Sequence, residues 1–136
     1  MVENPIKVTL DSNILISAIV YGGKPEKVFR LILEKKIIAY ISLVIIAEVI
    51  EVLTKKFRFN QIKLRQTERK IRKNLRVINP TQIINIVRDP DDNRVLEAAV
   101  EGNCDFIITG DKDLLGLEKY KNIKILTAEN FLQLPH

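Results

Sequence analysis

The run Ile37-Ile38-Ala39-Tyr40-Ile41 offers no charged side chain to water on either face of a strand. A half-exposed strand alternates apolar and polar residues. A wholly apolar, β-branched run instead fits a strand covered on both faces, as in a parallel sheet flanked by helices. The rest of the chain follows the same scheme. Ile6-Lys7-Val8-Thr9-Leu10 alternates and stops at Asp11, and Phe106-Ile107-Ile108-Thr109 stops at Gly110-Asp111. Residues 83–87 (Ile-Ile-Asn-Ile-Val) and 123–126 complete the strand candidates.

Helical patterns lie between these runs. Asp11, Ser42 and Asn60 are each a capping residue before a helix candidate. Gly22-Gly23 breaks the first helix, and Pro25 opens the second. The third runs to about Lys55 with only Glu48 and Glu51 among apolar residues. The fourth is basic, with Ile62, Ile71, Leu75 and Ile78 as an approximate apolar stripe. Val95, Leu96, Ala98, Ala99 and Val100 give a further helix its buried side, Gly102 closes it, and residues 128–134 form a short last one. This alternation predicts an α/β fold: a three-layer α/β/α sandwich around a mostly parallel sheet of four to five strands, as one domain over residues 1–136.

Composition narrows the chemistry. Among 136 residues there is one cysteine, Cys104, and one histidine, His136. Disulfide frameworks, Cys/His metal sites and histidine catalysis therefore drop out. Carboxylates, hydroxyls, Lys/Arg and a cation remain. The longest apolar run, residues 37–47, is well short of the roughly 20 residues of a membrane helix. The amino terminus lacks the charged-then-apolar layout of a secretory signal, so a cytoplasmic protein with no membrane partner is expected.

The net charge of +5 is unevenly placed. Residues 55–76 carry ten basic side chains (Lys55, Lys56, Arg58, Lys63, Arg65, Arg69, Lys70, Arg72, Lys73, Arg76) against one acid, Glu68. Residues 89–113 carry eight acids against Arg94 and Lys112. The first segment suits a polyanion and the second a cation. Phe57 and Phe59, interleaved with the first basic residues, fit a core role better than base stacking. Glu51, Glu97 and Glu101 read as surface acids.

The acids fall where a site belongs. Ligands of open α/β sheets bind at the carboxyl ends of the strands. Asp11 and Asp111 follow strands there, and Asp92 opens a helix on the same edge. Glu48 lies two turns into an apolar helix, where an ionisable side chain is seldom buried without a partner. Two such carboxylates about 4 Å apart repel by about 4 kcal/mol at an effective dielectric near 20. Convergence therefore requires protonation or a cation, and hard oxygen ligands without His or Cys point to magnesium or manganese (Mg2+ or Mn2+).

Val8-Thr9-Leu10-Asp11-Ser12-Asn13-Ile14-Leu15, Arg88-Asp89-Pro90-Asp91-Asp92-Asn93 and Ile107-Ile108-Thr109-Gly110-Asp111-Lys112-Asp113-Leu114-Leu115 together resemble the ordered motifs of the PIN-domain nucleases. The likeness is strongest to the VapC-type toxins of toxin–antitoxin pairs. It implies a metal-dependent endoribonuclease acting on RNA, often a homodimer, and held by a cognate antitoxin. It carries the family's four acids onto Asp11, Glu48, Asp92 and Asp111, with Asp113 assisting the metal and Asn13 and Thr109 orienting carboxylates. Lys55, Lys56, Arg58, Lys63, Arg65, Arg69, Lys70, Arg72 and Lys73 would hold the RNA. The Asp89/Asp91/Asp92 triplet leaves two registers for the third acid, Asp91 or Asp92. Asp92 is preferred because Val95, Leu96, Ala98 and Ala99 follow it at the family's helix spacing. Ser12 stands where many members have threonine. Two other functions fit an acidic strand end: a magnesium-dependent phosphotransfer or phosphatase domain, and an RNA-binding module without turnover. The first is disfavoured by Asn13, which leaves no Asp-x-Asp pair.

Overall fold

The computed structural model describes residues 4–135; Met1, Val2, Glu3 and the lone histidine, His136, lie outside the described residues. In chain order the elements are β1 (Ile6–Leu10), α1 (Ser12–Val20), α2 (Gly23–Leu33), β2 (Ile37–Ser42), α3 (Leu43–Lys55), α4 (Gln61–Asn74) and β3 (Arg76–Ile78). There follow α5 (Pro90–Glu101), β4 (Phe106–Ile108), α6 (Lys112–Leu117), β5 (Lys119–Tyr120), β6 (Ile123–Leu126) and α7 (Ala128–Leu132).

The sheet runs β3-β2-β1-β4-β6-β5. All neighbouring pairs are parallel except β5 against β6. The chain first winds outward from β1 through β2 to β3, then reverses through α5 to β4 on the other side of β1. Right-handed crossovers in opposite directions put their helices on opposite faces. Accordingly α5 packs across β1, β2 and β4, whereas α1 packs with α2 and α2 with α7. The apolar runs meet this demand: Val8, Leu10, Ala39, Ile41, Ile107 and Ile108 are all buried.

Two details of the strand assignment differ from expectation. The sheet has six strands because Arg76–Ile78 pairs with β2 and Lys119–Tyr120 folds back on β6. Helix α4 therefore ends at Asn74, and Ile78 belongs to β3 rather than to a helical stripe. Ile71 and Leu75 are buried as expected, but Ile62 is exposed.

Conversely, residues 83–87 form no strand, although their side chains favour one. Their backbone groups are taken by side chains of α5. The Ile84 N–H donates to Glu97 Oε2 at 2.9 Å, and the Ile86 and Val87 N–H groups donate to Asn93 Oδ1 at 3.0 and 3.1 Å. Asn93 Nδ2 donates back to the Val87 carbonyl at 3.0 Å, and Arg94 donates to the Ile84 carbonyl at 3.2 Å. The segment is thus a strap laced to α5 with only Ile84 buried, while Ile83 and Ile86 are exposed. Glu97 is consequently a buried residue, not the surface acid its sequence context implies; Arg94 pairs with it at 2.9 Å. Glu51 and Glu101 are exposed as expected.

Glu97→Ala strands the Ile84 N–H and the Arg94 guanidinium, and should lower the unfolding free energy by about 2 kcal/mol. Glu101→Ala, which removes an exposed contact to Thr81, should stay within about 0.5 kcal/mol. Urea unfolding of the two variants against the parent measures the difference, and equal losses would contradict the lacing.

Candidate functional site

At the reversal point of the sheet, β1 and β4 lie side by side, with Asp11 directly after β1 and Asp111 three residues beyond the end of β4. Asp11 is the N-cap of α1. Its Oδ1 accepts the Ile14 N–H at 2.9 Å, and its Oδ2 accepts the hydroxyl of Thr109, the residue that follows β4. The Thr109 oxygen in turn accepts the Asp111 N–H at 3.0 Å. Asp111 is the N-cap of α6, its Oδ1 accepting the N–H groups of Asp113 and Leu114 at 2.9 and 3.0 Å. Thr109 thereby touches both acids. Asn13 sits exposed in the first turn of α1 and takes no part in these hydrogen bonds.

The third acidic segment arrives on α5. Asp89 is its N-cap, accepting the Asp91 N–H at 2.9 Å, and Pro90 takes the first helical position. Asp91 and Asp92 follow within the first turn and separate: Asp92 is buried and Asp91 exposed. Asp92, Asp111 and Asp113 each bring one carboxylate oxygen within 4.8 Å of the others. Glu48 is not part of that trio. It projects from the second turn of α3 toward Asp91 and Ser12, forming a second carboxylate pair beside the first group. Asp91 as the partner of Glu48, and Arg88, whose Nη2 lies 3.2 Å from Asp113 Oδ1, are site residues that the sequence reading did not assign. The Asp-Pro-Asp-Asp string carries the signal for Asp91, because successive residues in a first helical turn point about 100° apart and can serve two neighbours.

The electrostatics follow from burial and crowding. Burial pushes the Asp11 carboxyl up from its ordinary value. The Thr109 and Ile14 donors counter this, and the charge of Asp111 adds to it. Glu48 is raised by burial and then by the charge of Asp91, with Ser12 working the other way. Asp92 is pushed up to about 7, first by burial, then by contact with the Asp111 carboxylate and the charges of Asp111, Asp89 and Asp11. Its Oδ2 is buried with no hydrogen-bond partner. A buried, unmatched carboxylate oxygen facing two more carboxylates is a donor set that fits a hard divalent cation. Cys104 offers no alternative ligand there, being buried with its thiol pushed up to about 12.

The basic residues lie on the exposed side of α3 and α4. Lys55 pairs with Glu51 at 3.3 Å and Arg72 with Glu68 at 2.8 Å. Lys63 stands 4.1 Å over the Phe59 ring and Lys70 5.6 Å over Phe29. Lys56 stands 5.7 Å over Phe57, and Arg58 adopts a left-handed backbone in the loop between the helices. Phe57 and Phe59 are half-buried against the core, as the core reading of these rings expects. Arg65, Arg69, Arg72 and Lys73 line a shallow depression of about 600 Å³ with Glu68. Helix α4 packs along α3, the helix that carries Glu48.

The Asp92 carboxyl gives the metal-free protein a definite pH dependence. Between about pH 4 and pH 7 the unfolded chain ionises this group while the folded protein keeps it protonated. Stability therefore declines as pH rises through that window and levels off above it. At pH 8 with chelator, Asp92→Asn should be more stable than the parent by about 1 kcal/mol or more, an advantage that disappears below about pH 4. Urea unfolding at the two pH values measures it; identical stabilities at pH 8 would contradict an unmatched buried carboxylate.

A family model of the PIN domain matches residues 7–113, a span that holds Asp11, Glu48, Asp92, Asp111 and Asp113. The chain is 37% identical over 145 residues to the uncharacterized protein MJ1680 of Methanocaldococcus jannaschii, covering 94% of this chain and 90% of that one. The fold is similar to VapBC2 from Rickettsia felis, crystallised bound to a DNA fragment from its promoter (TM-score 0.60, 16% identity, 88% of this chain and 97% of that chain). It is also similar to PAE2754 from Pyrobaculum aerophilum (TM-score 0.62, 17% identity, 93% of this chain and 87% of that chain). The family match and the relative sharing more than a third of its residues agree with the sheet order and the acidic edge: this chain belongs to the PIN domain family.

Proposed function

We propose that this protein is an endoribonuclease that hydrolyses RNA phosphodiester bonds with Mg2+ or Mn2+, and that it is the toxin of a toxin–antitoxin pair. The observation that carries this reading is the buried Asp92 oxygen without a partner, set among the carboxylates of Asp111 and Asp113. Asp92, Asp111 and Asp113 would hold the cation, with Asp11 behind them and Glu48 beside them. A divalent ion bound there supplies Lewis-acid polarisation of the scissile phosphate and a lowered pKa for water.

The chain's own residues set up that chemistry. Thr109 keeps both Asp11 and Asp111 in register through one hydroxyl. The starts of α1 and α6 donate N–H groups to those acids and so keep their oxygens fixed. Glu48 and Asp91, a close pair of raised proton affinity on the Glu48 side, can take a proton from water approaching between α3 and α5. Lys63, Arg65, Arg69, Lys70, Arg72 and Lys73 on α4, with Lys55, Lys56 and Arg58 ahead of it, would bind the RNA backbone. They stand one packed helix, roughly 10 Å, from the helix of Glu48.

The partner reading draws on the solved VapBC2 assembly, which supports a cognate antitoxin. A homodimer would cover exposed apolar residues such as Leu43, Val44, Val77, Ile83 and Ile86, and light scattering should then give twice the mass of the chain. No described helix is long and apolar enough to cross a membrane.

Incubated with unstructured and structured RNAs, the purified protein should cleave with Mn2+ and lose activity on chelation. Asp11→Asn and Asp92→Asn should each reduce kcat by about a hundredfold or more. Replacing Arg65, Arg69 and Lys73 by alanine should weaken RNA binding and flatten its salt dependence by about one counter-ion per residue removed. Cleavage that persists in chelator and in Asp11→Asn would refute the mechanism.

A further inference from the structure

One cation already sits at the acidic centre. Arg88 places Nη2 3.2 Å from both carboxylate oxygens of Asp113, and Asp113 belongs to the trio with Asp92 and Asp111. This arginine is no staple of the fold: its side chain is 88% exposed, and a pair of that kind contributes little to stability. Its backbone is a different matter. On one side the Val87 N–H and C=O are both bound by the Asn93 side chain. On the other, Asp89 caps α5. The root is pinned, and beyond its contact with Asp113 the guanidinium faces solvent.

Asp113 thus has two claimants, a cation tethered to the chain and any cation entering from solution. A divalent ion shared with Asp92 and Asp111 carries more charge and interacts with three carboxylates at once. Arg88 released from Asp113 stays at the rim of the same cluster, within reach of a phosphate drawn to an ion held there. Its planar fork of N–H donors matches phosphate oxygens, which a lysine or an apolar side chain would not reproduce.

We infer that Arg88 is a tethered counter-ion that a divalent metal displaces from Asp113, and that the displaced guanidinium then grips the phosphate of the RNA being cut. The second half rests on the nuclease reading above; the first concerns metal binding alone and stands apart from it.

The test compares the parent protein with Arg88→Met, Arg88→Lys and Lys112→Met, the last removing an adjacent exposed charge that does not pair with Asp113. Mn2+ binding is followed without RNA by electron paramagnetic resonance of the free ion, and RNA cleavage is measured separately. Arg88→Met should bind Mn2+ about two- to fivefold tighter and yet turn RNA over at least about tenfold more slowly. Arg88→Lys should keep near-parental metal affinity with intermediate turnover, and Lys112→Met should change affinity less than Arg88→Met does. Unchanged or weaker Mn2+ binding in Arg88→Met, an equal change in Lys112→Met, or no Mn2+ binding by any of the proteins overturns displacement. Tighter binding with unimpaired cleavage overturns the grip on phosphate. A parent that binds Mn2+ but cuts no RNA refutes the nuclease reading and with it the second half, while the affinity comparison still decides the first.

Discussion

The acidic edge exists because helices begin there. A helix start presents N–H groups without intrahelical partners and the positive end of its dipole, and both favour a carboxylate. Asp11 uses this at α1, Asp111 at α6 and Asp89 at α5. Each such cap is worth about 1 kcal/mol, which helps to offset the repulsion created when acids from distant parts of the chain converge. Capping and metal binding are therefore not competing explanations for these residues. At Asp111 the cap occupies Oδ1 alone, and at Asp11 the cap takes Oδ1 while Thr109 takes Oδ2; a carboxylate oxygen that accepts one donor keeps a second lone pair for a cation. Asp92 marks where this compensation stops. It lies inside the first turn of α5 rather than at its cap, and its buried Oδ2 has no donor. Burial, the neighbouring Asp111 carboxylate and the charges of Asp89 and Asp11 push its carboxyl up to about 7.

Topology decides that these helix starts share one place. Since the chain leaves β1 in one direction and returns to β4 on its other side, the loops after β1 and β4 diverge to opposite faces and leave a crevice between them. Thr109 spans that crevice, touching the acid after β1 and the acid after β4. The start of α5 is brought to the same crevice by the strap, whose backbone is bound by Asn93, Glu97 and Arg94. Lacing to α5 thus sets where Arg88, Asp89, Asp91 and Asp92 enter, so side chains that take no part in the carboxylate cluster help to fix its spacing.

Much of this could be read from local sequence. Caps at Asp11, Ser42 and Asn60 stand where the side chains place them, and Gly102 ends α5. Wholly apolar runs became β2 and β4, and the acids that follow the strands indicated the sheet edge where the carboxylates gather. What escaped depends on contacts between distant residues. Residues 83–87 carry strand-forming side chains, but periodicity says nothing about an Asn and a Glu on a later helix that take their N–H groups. Arg76–Ile78 has two exposed residues of three, so no burial pattern announces a strand that exists because β2 offers an open edge. Glu97 looks like any surface glutamate on an amphipathic helix until the strap covers it. The separation of Asp91 toward Glu48 and Asp92 toward Asp111 depends on where α3 and α6 lie around α5, and a triplet of adjacent acids does not encode that.

The two charged regions also constrain each other. If the basic side chains of α4 reached the carboxylates directly, they would neutralise them, and the centre would have no need for a free cation. Interposing α3 prevents this. Its inner side is apolar, with Ile45, Ile46, Val49 and Leu53 buried, and Glu48 emerges from it toward the acids while α4 packs along it. Held apart from the acids by this helix, the basic residues leave the negative charge of the carboxylates uncancelled, since salt at 0.1 M screens exposed charges over about 10 Å. Arg88 is the exception to this separation: it reaches Asp113 from within the acidic segment itself. One exposed arginine is a weak neutraliser, since solvent screens it and its pair with Asp113 is readily exchanged. That weakness leaves the cluster open to a stronger cation while moderating its repulsion until one arrives.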